Sequence, residues 1–579
     1  MIGMERDIRM KAKRQSVVVV EAVSYGRFYA KEAHRLGYTP VLVFPRLDIN
    51  THYADIRKNA ERFAAPYAPI VLHETEDYAE LLAALRPLKV AAVVAGSELG
   101  VPLADRLAES LGLPGNPSST SAARRDKAHM QQTLADKRVR HIRGRKAVSV
   151  EQAMQIAQDM ESWPVVLKPV AGSATVGVHF CHSPDELRAC AEALFHSCDA
   201  FGFGNNEILV QEYIRGQEFV VNCVSCNGEH QLSDMWVYNK IPLGREGNPY
   251  DYAKLITRLE AGHAAIIDYA HEVLSALGFQ YGPSHMEVML DDRGPVLMEV
   301  GARPMGSNMT PDLLHEALGH HIVDRALSTY LRPDNFAKAR MKHYRPKKSL
   351  MLKFLISPAK RPINIVPIRP LLERLDSVRM ADFSHALEEQ GTDRTVDLFS
   401  APGLLILCHK REDVLMRDYG IIRWIENRYF TMLLDDESGF TPTVDRERMD
   451  LALSNLIEAQ EYAKDSLVVL DAEADPSRLK GVLRLVTLAG VDDLAPDMRV
   501  NQIILHCGNR AFSFADYCSK LEKLVTRLNP GGTFVVTPWG MLATPYGAAG
   551  MEAVLLLLKL RLEVPMHLFP GVLLATKER

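Results

Sequence analysis

The sequence predicts a multidomain α/β protein, and three observations carry that expectation. Over residues 16 to about 123, short apolar runs alternate with helical patterns: SVVVVEA, GRFYAKEAHRLG, TPVLVFP, APIVLHE, DYAELLAALRPL and KVAAVVAGSE follow in turn. Such alternation marks a parallel sheet with helices on its faces. A similar alternation returns after about residue 435, in SLVVLDAEAD, NQIILHCGN, TFVVTPW and MHLFPGVLLATK. Finally, 579 residues exceed what one hydrophobic core can organise, so roughly three or four domains are expected.

The composition narrows the class of partner. With a net charge of only -4, no basic excess points to nucleic acid, and no long charged block suggests an interaction tail. The start, MIGMERDIRMKAKRQ, lacks the apolar core and cleavage site of a signal peptide. The longest apolar run, 553–564, is broken by Lys559 and Arg561, so no membrane span is expected. Eight irregularly spaced cysteines suit reduced thiols in a cytoplasmic protein. Cys223 and Cys226 form a CxxC, but in a strand they point to opposite faces, and no second pair follows at zinc-site spacing.

In chain order, the first segment has Ser24-Tyr25-Gly26 after its first strand and no GxGxxG, so it reads as a Rossmann-like lid or substrate-side domain that does not bind NAD. From Ser118, SSTSAARRDKAHMQQTL offers several N-caps and predicts a helix with Lys127 near its start. A strand over 163–169 ends in Lys168 and runs into the small-residue loop 170–178, which contains Gly172 and Ser173. Backbone N–H groups and a hydroxyl in such a loop can lie against phosphate, and a lysine at the strand's end can neutralise it. Next, ILVQEYIRGQEFVV is a strand, a short link and another strand. The link, with Gln211, Glu212 and Ile214, can act as a hinge whose backbone groups read an adenine edge, and Glu218 can accept from ribose hydroxyls.

The stretch 281–308, YGPSHMEVMLDDRGPVLMEVGARPMGSN, reads as a hairpin whose strands cover 285–290 and 295–300 around an Asp291–Gly294 turn. Antiparallel pairing brings Glu287 near Glu299. Two close carboxylates stay charged only beside a cation, and Mg2+ takes carboxylate oxygens while leaving positions for water and phosphates. His285 lies two residues from Glu287 and so on its face; Arg303 follows Glu299 by four.

The order of these parts resembles the ATP-grasp superfamily. The residues that carry the likeness are RRDK with Lys127, VVLKP with Lys168, the GSATVGV loop, QEYIRGQE, and the hairpin ending in Glu299-Val300-Gly301-Ala302-Arg303. HxE at His285 and Glu287, ExxxR at Glu299 and Arg303, and Asp234 to Lys240 followed by Tyr250-Asp251 look closest to the L-amino acid ligases, carboxylate-amine ligases that make dipeptides. The resemblance implies a pre-ATP-grasp domain at 1–123, a small lobe at 124–210 and a large lobe with closing subdomain at 211–432. It implies ATP and Mg2+, with Mn2+ as a substitute, and transfer of phosphate to a substrate carboxylate before an amine attacks. Lys127 and Lys168 would hold the α- and β-phosphates and the Gly172-Ser173 loop the γ-phosphate. Glu287 and Glu299 would carry the metal, and Arg303 the transferring group. His285 would orient the acyl phosphate or help deprotonate the amine. Trp236, Tyr238, Lys240 and Tyr250 are candidates for the substrate pocket, with Gly306 and Ser307 leaving room for a side chain. Two departures stand out: Gln211 replaces a frequent glutamate, and Gly301 the asparagine that often completes the metal shell.

Residues 440–579 fall outside that pattern. Their Leu528-Asn529-Pro530-Gly531-Gly532 between helix and strand resembles the later half of class I methyltransferases. No Gly-rich loop follows the first strand, so a degenerate domain without an S-adenosylmethionine site is expected, with pairing of subunits into a homo-oligomer, a dimer, as one use. The readings left beside a dipeptide-type ligase are an ATP-grasp ligase with a different acceptor, a methyltransferase with an inactive ATP region, and a non-catalytic nucleotide sensor.

Overall fold

The computed structural model describes residues 14–170, 177–198, 204–241, 249–306, 309–339, 344–357, 369–373, 375–383, 395, 398, 400–435, 466–470, 485–487, 489–495, 497–506, 514–536, 560–563 and 573–577. The chain divides into two compact units, and the main body of the first ends at Lys353.

The first unit opens with β1 (Ser16–Val20), α1 (Phe28–Arg35), β2 (Thr39–Phe44), α2 (Thr51–Ala64), β3 (Ile70–His73), α3 (Tyr78–Leu85), β4 (Val90–Ala95) and α4 (Val101–Ser110). The strands form a parallel sheet in the order β3-β2-β1-β4. β1 is buried along its whole length, as a strand covered on both faces must be, which explains its unbroken valines. The loops after β1 and β4 pack backbone to backbone: a Cβ on Gly26 would lie 2.1 Å from the carbonyl oxygen of Gly96. That contact allows no side chain at Gly26, and it holds the segment leading to Glu98.

The helix expected from Ser118 begins later. Residues 118–120 and 122–124 form separate 3₁₀ turns, and α5 (Lys127–Asp136) starts where Asp126 caps the backbone N–H groups of Ala128 and His129. Arg124, fully buried, bonds Asp105 Oδ2 at 2.7 Å and the carbonyl of Pro117 at 2.9 Å, which explains the interruption.

A four-stranded antiparallel sheet follows: β5 (Gly144–Ala147), β6 (Val165–Pro169), β7 (His179–Cys181) and β8 (Ile208–Glu212), in the order β5-β8-β6-β7. Its Val165, Leu167, Ile208 and Val210 pack with α6 (Val150–Met160) and α7 (Pro184–Phe195). Strand alternation therefore turns Lys168, Leu209 and Gln211 to the opposite face.

The largest sheet holds β9 (Gln217–Cys226), β10 (Glu229–Lys240), β11 (Tyr250–Leu255), β12 (Gly282–Asp291), β13 (Gly294–Gly301) and β14 (Ser349–Phe354), with β13-β12-β9-β10-β11-β14 as consecutive neighbours. One face carries Val221, Cys223, Met235, Met286, Val288 and Leu297 against α8 (Ala261–Ala276). Ile266, Tyr269, Ala270, Val273 and Leu274 of α8 recur at helical spacing and meet it. Each such large apolar side chain contributes roughly 1.5–3 kcal/mol by leaving water. The CxxC behaves as expected of a strand: Cys223 joins this core, and Cys226 turns toward the carbonyl of Thr329.

In the second unit β15 (Val378–Asp382) pairs antiparallel with β16 (Leu404–His409). Further on, β17 (Ser466–Leu470), β18 (Leu485–Thr487), β19 (Val500–His506), β20 (Leu528–Val536), β21 (Leu560–Glu563) and β22 (Leu573–Lys577) form a sheet of order β18-β17-β19-β20-β22-β21. Only β22 runs antiparallel to its neighbours there. No helix among the described residues is long and apolar enough to cross a membrane.

Candidate active site

The hairpin of β12 and β13 turns at Asp292-Arg293, with Asp291 opposite Gly294. Counting back from that pair, Val288 faces Leu297, and regular pairing would set Glu287 against Met298 and leave Glu299 on the core face. A bulge between these pairs sets Glu287 opposite Glu299 instead. The extra residue, Met298, packs beside Ile142, Ile214 and Val296. The bulge thus re-aims one carboxylate, a recurrent device next to active sites.

β13 is an edge strand, and its outward backbone is taken up where the bulge sits. Leu297 N–H donates to the Tyr269 hydroxyl at 2.8 Å, and the Leu297 carbonyl accepts from Gln131 Nε2 at 2.9 Å. The same hydroxyl donates to the Arg140 carbonyl at 2.6 Å. Tyr269→Phe should therefore cost about 1–3 kcal/mol, the penalty for stranding a buried backbone donor, and should lower turnover by loosening Glu299. Chemical denaturation followed beside turnover checks both. Unchanged stability would mean that Tyr269 does not pin this edge.

Cations surround the acidic pair. Lys127 Nζ lies 2.9 Å from Glu299 Oε2. Burial works against both charges, but their attraction holds the Lys127 ammonium above its ordinary value. Burial likewise opposes ionisation of Glu299, yet Lys127, Lys168 and Arg303 outweigh it and hold this carboxyl well below the usual range. Glu287 goes the other way: burial and the Glu299 charge push it up to about 7 against Lys240, Arg303 and Lys127. Lys168, at the end of β6, is lowered to about 8, first by burial and then by Lys127. Glu287 is thus a carboxylate short of positive charge and Lys168 an ammonium short of negative charge, on either side of a Glu299 that Lys127 already neutralises. Among the described residues no three His, Cys, Asp or Glu side chains form a metal cluster by themselves.

Arg303 extends from the end of β13, its Nε 3.1 Å from Glu98 Oε2 and its Nη1 donating to the Pro304 carbonyl at 3.1 Å. A Cβ on Gly301 would stand 2.7 Å from Glu98 Oε2 and 3.2 Å from Arg303 Nε. The glycine in place of asparagine therefore makes room for Glu98. Sequence reasoning did not single out Glu98. Its signal was the position of GSELG after β4, since parallel sheets present ligand groups at the carboxyl ends of their strands.

The remaining candidates divide. His285 and Glu287 share a face, with His285 Nε2 3.8 Å from Glu287 Oε1. Burial, then Arg303, lowers the imidazole to about 3. Glu218 pairs with Lys240 at 2.7 Å, and Lys240 lies 4.4 Å from the Tyr250 ring centroid. Tyr238 meets Tyr250 edge-on at 5.0 Å. Trp236 shares the face of Tyr238 but is fully buried and donates to Asp234 Oδ1 at 2.6 Å, so it backs the site without lining it. Gln211 faces as Lys168 does, and its Nε2 is buried without a partner among the described residues. The Glu212 side chain turns to the other face and accepts from Arg143 N at 2.9 Å and Arg143 Nε at 3.2 Å. Ile214 is buried in the small apolar cluster with Ile142 and Val296, and a Cβ on Gly306 would lie 3.4 Å from Ser24 Oγ. Gly172, Ser173 and Ser307 lie outside the described residues.

The ATP-grasp domain family matches residues 161–312, the stretch that supplies Lys168 and the hairpin. Dapdiamide A synthase of Enterobacter agglomerans is 31% identical over 432 residues, 73% of this chain and 99% of that protein. The chain belongs to the ATP-grasp carboxylate-amine ligases. D-alanine--D-alanine ligase of Lacticaseibacillus casei is 30% identical over 162 residues, 26% of this chain and 40% of that protein. Among solved structures, the L-amino acid ligase from Bacillus licheniformis superposes with a TM-score of 0.52 at 20% identity, covering 71% of this chain and 97% of that one. At that identity the likeness shows the fold. The ATP-grasp ligase thus uses ATP to form an amide bond.

Proposed function

We propose that this ATP-grasp ligase joins the carboxylate of one amino acid, or amino-acid-like acid, to the amine of another through an acyl phosphate, releasing ADP and phosphate. The observation that carries this reading is the half-buried Glu287–Glu299 pair, with Lys127 at 2.9 Å and Arg303 at its edge. Attack of a carboxylate on a phosphoryl group collects negative charge at one point, so catalysis is positioning and neutralisation. Lys127 and Lys168 hold phosphates, and Arg303 offers a planar fork to the transferring phosphoryl group, a geometry lysine lacks. Glu287 and Glu299 would hold Mg2+, which would supply positive charge against that of the phosphates. The orphaned amide of Gln211 supports an adenine contact, and Glu218, held by Lys240, supports a ribose contact. Tyr238, Tyr250 and Gly306 remain the proposed substrate-side surface. Phosphate release with ATP, Mg2+ and an amino-acid library, with products read by mass spectrometry, tests the reading. No pair raising release above background while ATP binds would refute it.

The pH dependence of metal binding follows from Glu287. Its carboxyl is raised from 4.5 to about 7, so below that pH it carries a proton which a dication must displace. Mg2+ affinity should rise with pH up to about 7 and level off above it. Calorimetry at pH 6 in buffers of different ionisation enthalpy should report about one proton released per ion. Affinity independent of pH would remove Glu287 from the metal site.

Two domain readings extend the proposal. The parallel order β3-β2-β1-β4 with intervening helices supports a Rossmann-like first domain. In the second unit, insertion of the reversed β22 between β20 and β21 supports kinship with class I methyltransferases. The sequence after Leu470, DAEADPSRLKG, still has no Gly-rich loop, so the proposed role is structural.

A further inference from the structure

Three neighbouring strands each place one polar side chain in a single row across the large sheet. His285 of β12 stands opposite Asn222 of β9, and Asn222 opposite Asp234 of β10. Asp234 reaches that place because a bulge at Ser233 separates the pairs Leu232–Cys223 and Asp234–Asn222. Regular pairing would have set Ser233 against Asn222. Exposure is 6% for His285, 2% for Asn222 and 4% for Asp234, so water does not satisfy the row.

The bonding pattern orients every member. Trp236 Nε1–H, a group that can only donate, reaches Asp234 Oδ1 at 2.6 Å, which marks that oxygen as an acceptor. Asn222 lies 2.5 Å from the same oxygen, so it must present its NH2 there. Its Nδ2 also approaches Met305 Sδ at 3.9 Å, another acceptor. The Asn222 carbonyl oxygen is thereby turned to His285 Nδ1, 2.9 Å away. An amide oxygen only accepts, so Nδ1 must carry the hydrogen, and in that tautomer the imidazole keeps its lone pair on Nε2. Nε2 is left as a lone pair, 3.8 Å from Glu287 Oε1.

We propose that Asn222 and Asp234 are positioning residues for the amide-forming step, holding His285 with its proton on Nδ1 so that Nε2 accepts a hydrogen bond from the attacking amine. The proposal rests on the ligase reading and decides between the two roles open to His285. A bare Nε2 cannot donate to an acyl-phosphate oxygen, whereas an amine brings N–H donors. The amine's own lone pair is then left for the acyl carbon. Asn222 and Asp234 touch neither substrate and act only through the imidazole.

The tautomer is measurable without turnover. In the full chain labelled with 15N-histidine, His285 is assigned by difference from His285→Gln, and its two ring nitrogens are read in long-range proton-nitrogen spectra. The expected result is a protonated Nδ1 and an unprotonated Nε2; the reverse overturns the proposal. Asn222→Leu removes the acceptor. It should lower amide formation roughly tenfold or more, the worth of a lost hydrogen bond to a reacting group, while carboxylate activation, trapped by hydroxylamine as the hydroxamate, stays within about threefold. An equal fall in both rates would assign Asn222 to the activation step or to folding and overturn the proposal. If Asn222→Leu does not fold, the wild-type tautomer still decides. Failure of every acid-amine pair to yield an amide, with the expected tautomer present, would refute the ligase reading instead.

Discussion

Glu299→Gln should reduce turnover by about 10³-fold or more, the scale seen when a preorganised charge at the reacting centre is removed. Two contacts are lost together. Lys127 Nζ gives up the carboxylate 2.9 Å away, and Glu287 is left as the one acidic side chain of the pair. Removal of the Glu299 charge also relieves one of the influences that raise Glu287, so its carboxyl should titrate lower in the variant. Activity and Glu287 ionisation therefore move in opposite senses: the remaining carboxylate is more readily charged, yet the site is slower. Turnover assays beside circular dichroism distinguish this from misfolding. A folded Glu299→Gln protein within tenfold of wild type would contradict the assignment.

Arg303→Lys should have the second largest effect, a fall of about 10²–10³-fold in kcat with the KM for ATP little changed. Charge is conserved in this variant, so only the fork is lost. The guanidinium is held by Glu98 at Nε and the Pro304 carbonyl at Nη1, leaving its other N–H groups for an anion. An ammonium can keep the ion pair with Glu98 but cannot grip two oxygens at once. Steady-state kinetics over a range of ATP concentrations checks the split. A raised KM for ATP with unchanged kcat would place Arg303 on the nucleotide instead.

The hairpin and its two acidic residues were legible in the sequence, but the reason they meet was not. PVLMEVG is apolar at Val296, Leu297 and Met298, so no alternation betrays the extra residue that brings Glu299 to the face of Glu287. The same holds at Ser233, where a small residue beside Asp234 hides the bulge behind the His285 row. Lys127 was recognised by its motif alone. A lysine at a helix start is ordinarily solvated, and only the fold brings it to Glu299, a residue 172 positions away. Glu98 and Asn222 were missed because their roles exist only across strands distant in sequence. Trp236 is the converse case: the resemblance made it a pocket candidate and it does share the face of Tyr238, but its full burial is a tertiary property that the motif does not encode.

The central claim is that this ATP-grasp ligase activates a carboxylate as an acyl phosphate before an amine takes it. Turnover with the acid substrate labelled by 18O in its carboxylate tests that claim most directly. The account predicts one 18O atom transferred to orthophosphate for each amide formed, with ADP as the nucleotide product. Label found in AMP, or amide formed with unlabelled phosphate, would contradict it.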